Sequence, residues 1–205
     1  MKPNTCIDLL YIILLTGLTH CTTGKADNQV TDIDGHVYAT VTIGNKVWMA
    51  ENLRVTRYRN GDLIPHIEDT TAWSTSTTGA WCNYNNDAGN AAIYGRLYNW
   101  YAINDSRNIA PEGWHIPTDE EIAALISLLE TKPAMAEIVK AKGLGGYRFC
   151  NGGSYHTIDF NGYWWSATRS YEIYDWSSRL FTGFADVQRN RYESNFGLAV
   201  RCVKD

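Results

Sequence analysis

Cysteine has the most reactive side chain in this sequence, and its placement limits the chemistry that the protein can perform. Five cysteines occur in 205 residues, and no two of them form a CxxC pair. The five histidines are scattered, so no segment has the ligand spacing of a zinc site. Cys82, Cys150 and Cys202 lie beyond the N-terminal region. In an oxidising compartment these three allow at most one disulfide and leave one thiol over.

Two groups of side-chain oxygens could also do chemistry. Glu120 and Glu121 are paired carboxylates, but they lie in the first turn of a predicted helix, where the helix dipole favours acidic residues. The second group is rich in the oxygen ligands that calcium prefers and consists of Asn85, Asn86, Asp87 and Asn90. Calcium is therefore a candidate cofactor, although Asx turns explain the same residues more simply. We expect no other cofactor.

The N-terminal segment has the features of a secretory signal. Lys2 supplies a positive charge, and the apolar stretch from Leu9 to Leu18 is too short to span a bilayer well. The following Leu-Thr-His-Cys resembles a lipoprotein box, although His20 replaces its usual small residue. We predict a lipoprotein-type signal peptide over residues 1–21, lipidation of Cys21, and a polar tether over 22–30. The alternative is ordinary cleavage nearby and secretion.

The elements after the tether begin with a hairpin. Val37, Ala39, Val41 and Ile43 alternate with polar or exposed partners, and Gly44-Asn45 provides turn chemistry before the next apolar run. Residues 54–90 have little periodicity and are expected to form a long loop anchored by aromatic residues.

Two apolar stripes at helical spacing follow. The first predicts a helix over 91–103, although Gly95 weakens it and indicates close packing against a neighbour. The second predicts a helix over 118–130, where Thr118 and Glu121 have the spacing of a capping box. Short strands are predicted at 146–150, 162–168, 176–183 and 196–203. A hairpin, two helices and then strands indicate one α+β domain over 31–205 with an antiparallel sheet.

Trp164 and Trp165 are neighbours on one of these strands, so their side chains point to opposite faces. Trp165 shares its face with Tyr163 and Ala167 and is assigned to the core. Trp164 shares the more polar face with Ser166, so we expect it to be covered by loops or open to a ligand.

Six ordered motifs between Thr31 and Asp205 resemble the Fibrobacter succinogenes major paralogous domain family: "DIDGHVYATVTIGNKVWMAENLR", "YGRLYNWYAIN", "PEGWHIPTDEE", "GGYR", "GYWWSAT" and "FGLAVRCVKD". The family consists of exported and often lipidated bacterial proteins. Its motif order is similar to the C-type-lectin-like fold of formylglycine-generating enzymes. The resemblance therefore implies short antiparallel strands, two main helices and long irregular loops. Ala110 stands where members often carry Cys, so Cys202 would pair with Cys82 or with Cys150; the candidate disulfide is Cys150–Cys202.

The lectin-like resemblance implies a surface-displayed binding segment over 151–195, where aromatic and arginine side chains are typical interface anchors. The ligand, a glycan or a protein, would be contacted by residues of this segment: Trp164, Tyr171, Tyr174, Asp175, Trp176, Arg179, Arg189, Arg191 and Tyr192. We expect an outer-membrane or cell-surface lipoprotein that acts in adhesion or recognition. With a net charge of −4 and no basic run, a nucleic-acid partner is not expected.

Two alternatives remain from the same resemblance. The protein could be a structural envelope component that binds no ligand. It could also be an oxidase similar to formylglycine-generating enzymes, which needs a pair of reactive cysteines. Cys150 and Cys202 form the only pair on predicted strands, and Cys202 belongs to the closing structural strand. We therefore expect the protein not to be an enzyme.

Overall fold

The computed structural model describes residues 28–131, 137, 144–151, 153–168, 174–181 and 187–205. For residues 130, 174–181 and 187–191, only the backbone is described. The signal peptide with Cys21, most of the tether, and the candidate Tyr171 lie outside these residues.

The described chain consists of short strands and helices joined by loops. The strands are β1 (Gln29–Thr31), β2 (Val37–Ile43), β3 (Lys46–Met49), β4 (Trp81–Cys82), β5 (Leu97–Tyr98), β6 (Trp114–His115), β7 (Tyr147–Arg148), β8 (Tyr155–His156), β9 (Asn161–Trp165), β10 (Tyr174–Phe181), β11 (Val187–Glu193) and β12 (Val203–Lys204). The helices are α1 (Thr70–Ser74), α2 (Ala88–Tyr94), α3 (Trp100–Ile103) and α4 (Asp119–Thr131). The predicted α+β class with short antiparallel strands is confirmed.

The main sheet has five strands in the order β1-β2-β3-β12-β6, and its neighbouring strands are antiparallel. A three-stranded antiparallel sheet has the order β11-β10-β9, and β4-β5 and β7-β8 form two-stranded ladders. Strand β1 begins at Gln29, which is inside the predicted tether, and pairs with β2.

The predicted hairpin is confirmed, with a correction to its buried face. Ile43 pairs with Lys46, so Gly44 and Asn45 form a two-residue turn in which Gly44 has a φ of 65°. At the start of β2, however, Tyr38 is the buried residue and Val37 is 46% exposed. The Tyr38 hydroxyl donates a hydrogen bond of 2.5 Å to Asp32, which gives its polar tip a buried partner.

The main sheet separates two apolar clusters. Trp48 and Met49 are neighbours in β3, and they belong to different clusters because successive side chains point to opposite faces. The larger cluster is the main core and includes Met49 and Trp165. The smaller one lies beneath α4 and contains Ile43, Trp48, Leu129, Trp164, Ala199 and Val203.

Helix α4 confirms both the predicted element and its start signal. The Glu121 backbone N–H donates to Thr118 Oγ1 at 3.3 Å, and the Thr118 N–H donates to Glu121 Oε2 at 3.0 Å. This reciprocal pair is a capping box, which satisfies two backbone donors at the helix start. Leu129 is buried in the smaller cluster, so the helix packs there by its apolar stripe.

The predicted helix over 91–103 is wrong as a continuous element. Helix α2 ends before Gly95, because this residue has a φ of 76°. Strand β5 then lies between α2 and α3. The predicted close packing at Gly95 is confirmed, since an added Cβ would meet Asn52 Cβ at 2.6 Å and Leu53 O at 2.8 Å. Asn99 then starts α3 by accepting a hydrogen bond from the Ala102 N–H.

Candidate ligand-binding surface

Trp164 and Trp165 confirm the predicted alternation, and both side chains are buried. Trp165 is fully buried in the main core, and its Nε1–H donates to Tyr98 O at 2.7 Å. Trp164 is only 8% exposed, and its Nε1–H donates to Asn52 Oδ1 at 2.7 Å. Its ring lies in the smaller apolar cluster with Leu129 of α4, and the buried Arg201 guanidinium lies 5.2 Å from the ring centre; the sequence of β9 alone shows neither neighbour.

The register of the three-stranded sheet divides the remaining candidate residues between two faces. Ser178 pairs with Trp164 and with Arg189, and Trp176 pairs with Arg191, so these positions share one face. Tyr174 joins them by its alternation with Trp176. On the other face, Asp175 pairs with Tyr192 and Arg179 pairs with Tyr163. The sheet therefore does not bring the predicted residues together as one site.

Tyr192 leads to an aromatic surface that sequence reasoning did not identify. Tyr192 contacts Phe196 with ring centroids 4.7 Å apart, and Phe196 contacts Phe149 at 5.2 Å. Tyr147 stacks on His156 at 5.1 Å with an interplanar angle of 26°. We call Tyr147, Phe149, His156, Tyr192 and Phe196 the aromatic patch.

The β7–β8 ladder explains why three of these rings share a face. Tyr147 pairs with His156, and Phe149 follows Tyr147 at the strand period of two. The Phe149 N–H donates to Ser154 O at 2.8 Å, which continues the ladder beyond β7. Tyr147, Phe149 and His156 therefore project to the same side of this small hairpin.

Exposure increases outward through the patch. Tyr163, 2% exposed, lies beneath Tyr147 with ring centroids 4.8 Å apart. Phe196 is 8% exposed, Tyr147 and Tyr192 are partly exposed, and Phe149 reaches 36%. His156 is exposed and completes the stack. The patch therefore presents accessible rings on a base of buried ones.

The opposite face of the β7–β8 ladder is an anchor. Arg148 is fully buried and donates to the carbonyl oxygens of Ile67 and Glu68, each at 2.8 Å. Its guanidinium also lies 4.5 Å from the ring centre of Trp73, a cation–π contact. Tyr155, the cross-strand partner of Arg148, donates to Asn86 Oδ1 at 2.5 Å. These bonds hold the hairpin against the long loop and fix the rings on its other side.

The predicted disulfide between Cys150 and Cys202 is wrong. Cys82, Cys150 and Cys202 are buried free thiols. Each thiol has its own surroundings: Cys150 Sγ donates to Glu193 Oε2 at 3.3 Å, Cys82 packs with Trp73, and Cys202 lies in the main core.

The electrostatics of these thiols do not favour cysteine chemistry. Burial raises the pKa of Cys150 to about 11, with a further contribution from Glu193. Burial also raises the pKa of Cys82 and of Cys202. An activated cysteine requires a lowered pKa, so the surroundings of these residues oppose formation of a reactive thiolate.

The oxygen-rich segment that could have bound calcium serves local structure. Asp87 caps α2 by accepting a hydrogen bond of 2.8 Å from the Gly89 N–H. Asn90 donates to Tyr84 O at 3.0 Å, and Asn86 accepts the hydroxyl of Tyr155. Asn85 has a φ of 54°, a conformation in which Asn is common. Across the described residues, no group of three His, Cys, Asp or Glu side chains is placed to hold a metal ion.

A sequence signal for the aromatic patch did exist. The stretch "YRFCNGGSYH" alternates aromatic and other residues on either side of a glycine turn, as a hairpin does. The long-range contribution of Tyr192 and Phe196 has no local signal, because it depends on how β11 approaches β7.

Comparison with known proteins identifies the class of domain. Residues 41–143, half of the chain, match the Fibrobacter succinogenes major domain. The chain therefore belongs to this family, which confirms the resemblance drawn from its motifs. We found no match among curated proteins and none among solved structures. No helix in the described part of the chain is long and apolar enough to cross a membrane.

Proposed function

We propose that the protein is an exported, lipid-anchored component of the cell envelope whose domain binds a glycan or a protein ligand through the aromatic patch. The proposal rests chiefly on one observation: exposed aromatic rings lie on one face of a hairpin whose other face is hydrogen-bonded to the long loop. Aromatic side chains provide large contact areas at little entropic cost when they are already fixed in place.

The difference between the two faces of the hairpin supports a binding role over a purely structural one. Arg148 and Tyr155 donate hydrogen bonds to the long loop on the other side of the hairpin, at Ile67, Glu68 and Asn86. Phe149 and His156 make no comparable anchoring bonds to the long loop, and they remain accessible. Exposed aromatic residues that gather in one place are typical of interaction surfaces.

Anchoring at the cell surface rests on the N-terminal sequence. The apolar stretch that ends at Leu18 precedes Cys21 and a polar segment, as in exported lipoproteins. Mass spectrometry of the mature N-terminus tests this part of the proposal. We expect a diacylated or triacylated Cys21, and a terminus that is unmodified or lies beyond this residue would contradict it.

The binding role is tested with arrays of glycans, peptides and envelope proteins. The full exported chain, carrying Cys21→Ser to prevent lipidation, is compared with Phe149→Ala and His156→Ala variants. A matched control is Phe160→Ala, because Phe160 is 67% exposed but lies outside the aromatic patch. Binding that is lost in the two patch variants and kept in the control supports the proposal. Absence of binding to every array would favour a structural envelope component instead.

A further inference from the structure

We infer that the aromatic patch binds an uncharged oligosaccharide, with one sugar ring held in the corner between Phe149 and His156. The inference rests on the proposed binding function and adds the chemical class of the ligand. A pyranose ring combines apolar C–H faces with hydroxyl groups around its edge, so it needs an aromatic face together with nearby hydrogen-bonding groups.

The two most accessible rings meet at nearly a right angle. Phe149 and His156 have ring centroids 6.5 Å apart and an interplanar angle of 83°. A flat ligand ring that stacks on one of these side chains therefore meets the other at its edge. The corner would hold one sugar residue of a chain, with its neighbours extending over Tyr147 or Tyr192.

Phe149 and His156, the two residues that form the corner, each pack against another ring of the aromatic patch. His156 stacks on Tyr147, and Phe149 packs edge-to-face on Phe196 with an interplanar angle of 80°. Tyr147 in turn contacts the buried Tyr163 with ring centroids 4.8 Å apart. Because these rings are held before a ligand arrives, little side-chain freedom is lost on binding.

Polar groups suited to hydroxyls stand beside the rings. Ser154 Oγ and His156 Nε2 are 2.8 Å apart, and this hydrogen bond orients the imidazole. Both side chains are exposed. A serine hydroxyl both donates and accepts hydrogen bonds, as a sugar hydroxyl requires.

The charges around the patch argue against an acidic ligand. Arg148 faces the opposite side of the hairpin and is occupied by the carbonyl oxygens of Ile67 and Glu68. By register, Arg189 and Arg191 lie on the face of the sheet opposite to Tyr192. By register, the positions of Asp175 and Arg179, two residues of opposite charge, share the face of Tyr192.

A peptide ligand is tested beside the sugars. Peptides are usually held by pockets for side-chain anchors or by pairing along a strand edge, and β11 is an edge strand of the three-stranded sheet. Clefts do occur in the described structure, but those beside Arg59, along α4 and beside Trp114 are lined by residues outside the aromatic patch. The patch offers ring faces instead.

Calorimetric titration of the full exported chain with Cys21→Ser tests the inference. The probes are three neutral oligosaccharides (cellohexaose, xylohexaose and mannohexaose), hexagalacturonate as an acidic counterpart, and a mixed peptide library. We expect at least one neutral probe to bind, and Phe149→Ala and His156→Ala each to weaken its binding about tenfold or more, as truncation of an interface anchor does. Phe160→Ala should bind like the parent chain.

The other outcomes separate the inference from the proposed function. Binding of only hexagalacturonate or only peptides, with the same two variants impaired, would overturn the uncharged-sugar inference and leave the patch as a binding surface. Neutral-sugar binding that neither variant weakens would overturn both, because the sugar would then lie elsewhere. No binding of any probe would also overturn the inference. A thermal melt of each variant confirms that it is folded.

Discussion

The two faces of the β7–β8 hairpin differ sharply although their residues alternate along the same short strands. On one face, Arg148 is fully buried and donates hydrogen bonds to two carbonyl oxygens. On the other face, one residue further on, Phe149 is 36% exposed and packs against the rings of Phe196 and His156. The comparison shows how a small ladder can hold the fold with one set of side chains and present a surface with the other.

The largest expected effect comes from removing the anchor. Arg148→Ala leaves the carbonyl oxygens of Ile67 and Glu68 without their donor and opens a cavity beside Trp73. We expect a loss of about 3–5 kcal/mol in the free energy of unfolding, measured by urea denaturation. Arg57→Ala is the matched control, because Arg57 is 45% exposed and its ion pair with Asp34 should contribute less than about 1 kcal/mol. Equal losses in the two variants would show that Arg148 is not an anchor.

Strand β9 contrasts with the β7–β8 hairpin, because its neighbouring tryptophans point to opposite faces and both are buried. Trp164→Ala and Trp165→Ala should each destabilise the protein by about 3–5 kcal/mol, the usual loss for a buried aromatic residue replaced by Ala. Each variant also removes the partner of a buried hydrogen bond, at Asn52 or at Tyr98. The same denaturation experiment tests both. A Trp164→Ala variant with the stability of the parent chain would mean that this face is open after all.

A smaller effect is expected at the capping box, which depends on hydrogen bonds near the surface. Thr118→Ala removes the acceptor of the Glu121 N–H and should lower the unfolding free energy by about 1 kcal/mol. Thr118→Ser keeps the hydroxyl and should restore most of this loss. If serine and alanine behave alike, the hydroxyl does not cap α4.

The smallest effect is a pH dependence at Glu121. Burial raises the pKa of this carboxyl, but bonds from Lys46, the Thr118 N–H and His115 outweigh it, so the pKa is lowered overall. A lowered pKa in the folded state stabilises the protein above the unfolded value, near 4.3 for Glu, and this contribution is lost as the pH falls through the folded pKa. The unfolding midpoint of Glu121→Gln should therefore fall less steeply than that of the parent chain below about pH 4.3. Parallel pH profiles would contradict this.

Elements with local signals were predictable from the sequence. The β2–β3 turn follows from Gly44-Asn45, and the start of α4 follows from Thr118 and Glu121, because each signal lies within four residues of what it specifies. Gly95 shows the limit of this approach. Its sequence context fits a weak helix equally well, and the close approach of Asn52 and Leu53 decides that the chain turns instead.

The candidate site was less predictable, since burial depends on what packs against each face. Trp164 follows an alternation that was correctly predicted, but Leu129 of α4 covers its face from a distant part of the chain. The aromatic patch combines β7, β8 and β11, which are brought together only by tertiary contacts. Among the predicted residues whose side chains the structure describes, Tyr192 is the one that belongs to this patch.

The most direct test of the account is to measure stability and binding together in Phe149→Ala. The ring packs against Phe196 and His156, and losing such contacts should lower the unfolding free energy by only about 0.5–1.5 kcal/mol. Binding of the ligand found on the arrays should fall about tenfold or more in the same preparation. A large loss of stability with undiminished binding per folded molecule would contradict the account, because Phe149 would then belong to the anchor.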